Sequence, residues 1–229
     1  RYWTSTPVPL AGLSGIVAGA AGSFHSFALD SSGRLFAWGD NADGQLGDGT
    51  TERRILPVPV PGFGAVRRIA AGWNVSMAIT SDGAAWSWGS SAFGELGLGP
   101  TENRLTPTRI AALSGVRTIS PGASHAVAVL SDGSLWTWGG NFYGQLGDGS
   151  ADDRDHPVRV LPPGTLLSAW AGNEVTLAPA IGGAALAWGW NGNGQLGDGT
   201  LARHHRPQLV VGVNGVGFLN LAPGSTLEL

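Results

Sequence analysis

The chain has 229 residues, 42% of them apolar and 13% charged, with a net charge of -3 and no cysteine. This composition gives a globular domain ample core material and excludes a disordered chain, a disulfide scaffold and thiolate catalysis. The small net charge offers no general attraction to nucleic acid, and no apolar run reaches a membrane-spanning length.

Around residues 107–140 the predicted elements are clearest. Thr108-Arg109-Ile110 is a short extended stretch after Pro107. Val116 to Ser120 is a second, closed by Pro121-Gly122, and His125 to Leu130 is a third. Ser131-Asp132-Gly133 is a turn signal, and Leu135-Trp136-Thr137-Trp138 is a fourth strand ended by Gly139-Gly140. No segment sustains a helical period with caps.

The same order recurs every fifty residues. Trp38, Trp88, Trp138 and Trp188 hold one position, as do Gly22, Gly72, Gly122 and Gly172, and Pro57, Pro107, Pro157 and Pro207. Gly44-Gln45-Leu46-Gly47 returns as Gly94-Glu95-Leu96-Gly97, Gly144-Gln145-Leu146-Gly147 and Gly194-Gln195-Leu196-Gly197. Such a period means an array of supersecondary units. Four short antiparallel strands per unit predict an all-β fold, a β-propeller with the recurring Trp buried between blades. Residues 1–229 read as a single array, with repeats at about 6–56, 57–106, 107–156 and 157–206 and a partial one at 207–229.

These residues resemble the RCC1 (regulator of chromosome condensation) repeat. The likeness rests on Gly22-Ser23-Phe24-His25-Ser26, Trp38-Gly39-Asp40-Asn41 and Gly44-Gln45-Leu46-Gly47-Asp48-Gly49-Thr50, with their later copies. The resemblance implies a propeller, usually of seven blades. It also implies one of several unrelated jobs: nucleotide exchange on a small GTPase with chromatin docking, ultraviolet sensing, or secreted inhibition of β-lactamase. The family His stands at His25 and His125 but is Val75 and Val175 in the other copies, which suits a repeat-stabilising residue better than a catalytic one. Ile181-Gly182-Gly183 makes the fourth hairpin atypical. Trp73 matches the Trp of ultraviolet-sensing members, but the other copies lack it.

Seven such units would need roughly 350 residues. The sequence therefore predicts an incomplete ring, finished by more of the same protein, by self-association through open blade edges or by a separate chain. All 13 basic residues are Arg, which reads as the codon bias of a bacterial source. Arg1, without a leader before it, reads as a mature or trimmed form, with a secreted or periplasmic setting favoured.

Because the scaffold explains the recurring residues, function is sought where copies differ. Two variable clusters fall at one end of the array, before the third strand and after Trp-Gly. The candidate partner-binding residues are Phe24, Trp73, Asn74, Phe93, Phe142, Tyr143, Trp190 and Asn193, aromatic types that anchor interfaces. A protein-interaction or assembly module follows, inhibitor-like in one version, with no nucleic acid, membrane, cofactor or metal expected. Asp40-Asn41-Ala42-Asp43-Gly44 lacks the twelfth-position Glu of a calcium loop, and Asp48, Asp148 and Asp198 read as turn formers. Asp152 to His156 reads as a solvated loop. The alternative is a hydrolase-like enzyme with His25 or His125 at a central channel; no nucleophile elbow or phosphate loop supports it.

Overall fold

The computed structural model describes residues 6, 9–10, 12–99 and 101–210. Among these the chain forms sixteen strands and no helix, arranged as four four-stranded antiparallel sheets. The first blade is β1 (Ile16–Ala21), β2 (His25–Asp30), β3 (Leu35–Gly39) and β4 (Arg54–Pro59). The second is β5 (Val66–Ala71), β6 (Val75–Thr80), β7 (Ala85–Gly89) and β8 (Arg104–Arg109). The third is β9 (Val116–Pro121), β10 (His125–Leu130), β11 (Leu135–Gly139) and β12 (Arg154–Leu161). The fourth is β13 (Trp170–Ala171), β14 (Val175–Pro179), β15 (Ala185–Gly189) and β16 (His204–Leu209).

The fifty-residue period is kept, but blades and sequence units are offset. Thr108 and Arg109, expected to open the third unit, pair with Ser87 and Trp86 and so form the outer strand of the second blade. After the Gly-Glu-Leu-Gly turn the chain runs back beside β7, with a register shift between Ser87 and Gly89. Pro107 is tolerated because β8 is an edge strand, where a missing N–H costs no ladder bond. Of the partial copy, only Pro207-Gln208-Leu209 in β16 and Val210 belong to the described residues; 211–229 lie outside them, as do Pro7 and Val8. The fourth hairpin differs as expected: Gly182 and Gly183 both adopt positive φ, where the other three have one such glycine.

The core lies between blades. Phe27, Leu29 and Leu46 of the first blade pack with Ala78 and Trp88 of the second. Two similar clusters join the second to the third and the third to the fourth. Trp88, Trp138 and Trp188 are fully buried in sockets made by the Gly-Gln/Glu-Leu-Gly turn of the preceding blade. The indole Nε1 of Trp88 donates to the Gln45 carbonyl at 3.0 Å, and that of Trp138 to the Glu95 carbonyl at 2.8 Å. Trp38, expected to be buried like the others, is only half-buried, because no described residue supplies its socket. At the other end Leu177 is 42% exposed, whereas its counterparts Phe27, Met77 and Val127 are buried.

Nearer the axis, each blade steps onto the next through glycine. A Cβ on Gly22, Gly72 or Gly122 would lie within about 2.4 Å of the carbonyl of Gly72, Gly122 or Gly172 respectively, so no larger residue fits. Beside this ladder runs an alternation of polar and apolar pairs. His25 lies 2.9 Å from the Ser76 hydroxyl, and His125 lies 2.9 Å from that of Thr176. Between them, Val75 and Ala126 share one buried apolar cluster. Both hydroxyls donate to the Gln45 and Gln145 carbonyls at 2.7 Å, so each must accept from the imidazole Nε2–H. The proton is thus fixed on Nε2 and Nδ1 has no partner. Burial holds His25 down to about 4, against an opposing pull from Asp40, and His125 to about 3.

Candidate protein-binding face

In every blade the loop after the third strand is tied to the residue before the second. The amides of Asp40, Ser90, Gly140 and Trp190 donate to the carbonyls of Phe24, Asn74, Ser124 and Glu174 at 2.8–2.9 Å. These bonds bring the two variable clusters together at one end of the array. The loop beyond is braced by a polar hub: Asn41 donates to Asp48, which also accepts from Thr50 and pairs with Arg54. Asn141–Asp148 and Asn191–Asp198 repeat it, so these aspartates brace the loop as well as turn it. The second blade has Ser91 and Leu98 instead, and Leu98 packs into the core.

Phe24, Trp73, Phe93 and Phe142 are 74, 59, 51 and 69% exposed, all at this end. Tyr143 is half-buried, edge-on to Phe142 with ring centroids 4.8 Å apart and 6.0 Å from Trp190. Asn193 is exposed, its amide tied to Gln195. Asn74 turns inward and donates to Asp43 at 2.8 Å. The eight residues therefore do not form one site. Phe93, Phe142 and Tyr143 line a single cavity of about 610 Å³. Trp73 instead borders a shallow depression of about 270 Å³ where the four glycine steps meet. Phe24 and Asn193 line neither.

The larger cavity exists because a hydrogen-bonded lock is absent there. Between the first two blades, Asp43 accepts from Asn74 at 2.8 Å and from Asn103 at 3.0 Å. Fifty residues on, the three positions are Phe93, Ser124 and Asp153. Phe93 has no acceptor and Asp153 has no donor, so the lock cannot form. Among the described residues Asp153 accepts only the Asn141 backbone N–H, at 2.7 Å. On the opposite wall Glu174 accepts from the buried Gln145 amide at 2.7 Å. Burial pushes the Glu174 carboxyl up, partly offset by the Ser124 hydroxyl. Glu95, which stands where the other copies have Gln, is also pushed up by burial; its carboxylate accepts from the Phe93 amide at 2.6 Å and from Ser90. Ser124 and Glu174 stand in the first of the two variable clusters and Asp153 in the loop read as solvated, but none of the three was singled out as a binding residue. Comparing positions fifty apart for complementary donors and acceptors is the signal that finds them.

The small net charge conceals a separation. At the hairpin end Arg34, Arg67, Arg68, Arg109, Arg117 and Arg159 stand with only Asp30, Asp82 and Asp132. The other described acids lie toward the loop end. Among them Asp40, Asp43, Glu95, Asp152, Asp153 and Glu174 have no ion-pair partner among the described residues. No group of three potential metal ligands occurs among the described residues. The axial depression is lined by Gly, Ala, Ser, Pro, Asn and Trp73, without a titratable side chain. His25 and His125 sit instead inside the interblade contacts.

The profile of the RCC1-like domain matches residues 2–226. The chain belongs to the RCC1-like domain family. Among solved RCC1-like structures, Prp20p of Saccharomyces cerevisiae superposes with a TM-score of 0.82 at 26% identity, over 91% of this chain and 54% of its own. That protein has been described together with its binding to Gsp1p and histones, and bound to Kap60. Human WBSCR16 superposes with a TM-score of 0.76 at 25% identity, over 85% of this chain and 51% of its own. Protein pim1 of Schizosaccharomyces pombe is 55% identical over 42 residues, 18% of this chain and 8% of its own. The chain thus spans about half the length of the solved propellers it resembles, and a small part of pim1.

Proposed function

We propose that this RCC1-like chain is a protein-interaction module that presents its loop end to a partner. The observation that carries the proposal is the placement of Phe24, Trp73, Phe93 and Phe142, each more than half exposed, at one end of the blade array. Rigid exposed aromatics supply contact area at little entropic cost, which is why they dominate interface hot spots. Binding of protein partners by the similar Prp20p supports the same reading. Photo-cross-linking in the native cell tests it. A cross-linker at Phe142 is expected to yield one discrete adduct that is absent from a cross-linker at Ser131, on the hairpin end. Equal adducts from both ends, or none from Phe142, would contradict it.

Trp38 and Leu177 favour a second, compatible reading. They mark two blade faces of the kind that another blade covers elsewhere in the array. Native mass spectrometry separates cover by a second copy, which doubles the 23.4 kDa mass, from cover by a different chain.

A further inference from the structure

We propose that the cavity walled by Phe93, Tyr143 and Glu174 receives an arginine side chain presented by a protein partner, an inference that rests on the loop end being the binding face. The preceding niche shows what completes such a place. There the Asp43 carboxylate is satisfied by planar N–H donors from Asn74 and Asn103. One repeat later Phe93 stands at the Asp43 position and both amide donors are replaced, by Ser124 and Asp153, so the niche keeps a carboxylate, at Asp153, but has lost its planar side-chain donors. A guanidinium brings several N–H donors in one plane and can bridge two carboxylates. Asp153 and Glu174 line the same cavity, and no cationic side chain lines it with them. The nearby Arg154 is committed to Asp148 at 2.8 Å.

The remaining walls fit the same occupant. Phe93, Phe142 and Tyr143 offer aromatic surface on which a guanidinium stacks, a contact that a more strongly hydrated ammonium makes less well. Tyr143 is held by Phe142 and Trp190, so its ring is already positioned.

The test is an NMR titration of the full chain with acetyl-Gly-Arg-Gly-amide and with its citrulline counterpart, which keeps the shape and removes the charge. Shifts are expected at the amides of Phe142, Tyr143 and Glu174, with the citrulline peptide at least about tenfold weaker. Glu174→Gln and Phe142→Ala should each weaken the arginine peptide severalfold, while Ser131→Ala, on the hairpin end, should not. Equal binding of both peptides, or no shift with either, overturns the arginine pocket. If that happens while the Phe142 cross-link persists, the binding face stands and only its chemistry was wrong. If both are lost, the face falls as well.

Discussion

Trp138 and Phe142 are four residues apart in the chain and belong to different kinds of structure. Trp138 is fully buried in a socket supplied by the preceding blade, its Nε1 bonded to a carbonyl forty-three residues away. Phe142 is 69% exposed at a loop tip and touches chiefly Tyr143. The first position is Trp in every copy; the second is Ala42, Ala92, Phe142 and Gly192. The sockets around Trp88, Trp138 and Trp188 are alike because each blade is the mould of the next. The loop tips vary from copy to copy, so the repeat itself does not demand an aromatic there.

Removing a socket residue should produce the largest effect. Trp138→Ala is expected to cost about 3–5 kcal/mol in denaturant unfolding, the range for truncating a buried aromatic. A cost below about 1 kcal/mol would mean that the blades are not coupled through these sockets.

Acid should act next most strongly, and on the same interblade contacts. His25 and His125 are neutral when folded and take up protons more readily when unfolded. Stability is then fully present above about pH 6.5 and falls as the pH drops toward about 4 and 3. Each tenfold difference in proton affinity between the folded and unfolded chain is worth about 1.4 kcal/mol, so the loss should reach a few kcal/mol. Changing His25→Val with Ser76→Ala, and His125→Val with Thr176→Ala, copies the Val75/Ala126 contact and should flatten the acid limb. An unchanged pH profile in that variant would show that the titration belongs elsewhere.

Smaller effects separate the two niches. Asn103→Asp places a second carboxylate against Asp43 and should cost about 1–2 kcal/mol, while Asp153→Asn should stay within about 0.5 kcal/mol. Phe142→Ala, at the exposed tip, should shift the unfolding midpoint least of all. A large loss there would mean that Phe142 is scaffold after all.

The parts visible in the sequence were those that repeat. Strand positions, hairpins and the buried character of Trp88, Trp138 and Trp188 follow from one fifty-residue pattern, because each blade meets the same surroundings. The blade boundary was hidden: nothing in Thr108-Arg109-Ile110 says that it pairs backward with β7. The half-exposure of Trp38 was hidden too, since its residue type is the same as that of its buried copies. At the loop end, the exposed aromatics were legible as outliers from the repeat. The cavity was not, because Phe93, Tyr143 and Glu174 come from three different blades and meet only when the array is built. The position of the Asn74 side chain was hidden for the converse reason: its partner Asp43 belongs to the neighbouring blade.

Transplanting the lock tests the central contrast most directly. The triple variant Phe93→Asp, Ser124→Asn and Asp153→Asn rebuilds the Asp43–Asn74–Asn103 arrangement one repeat later. Its affinity for the arginine peptide and its unfolding midpoint would be measured beside the parent chain. The account predicts a folded protein of undiminished stability that no longer binds the peptide. Retained binding in a folded triple variant would contradict it, because the cavity would then not owe its ligand to the missing lock.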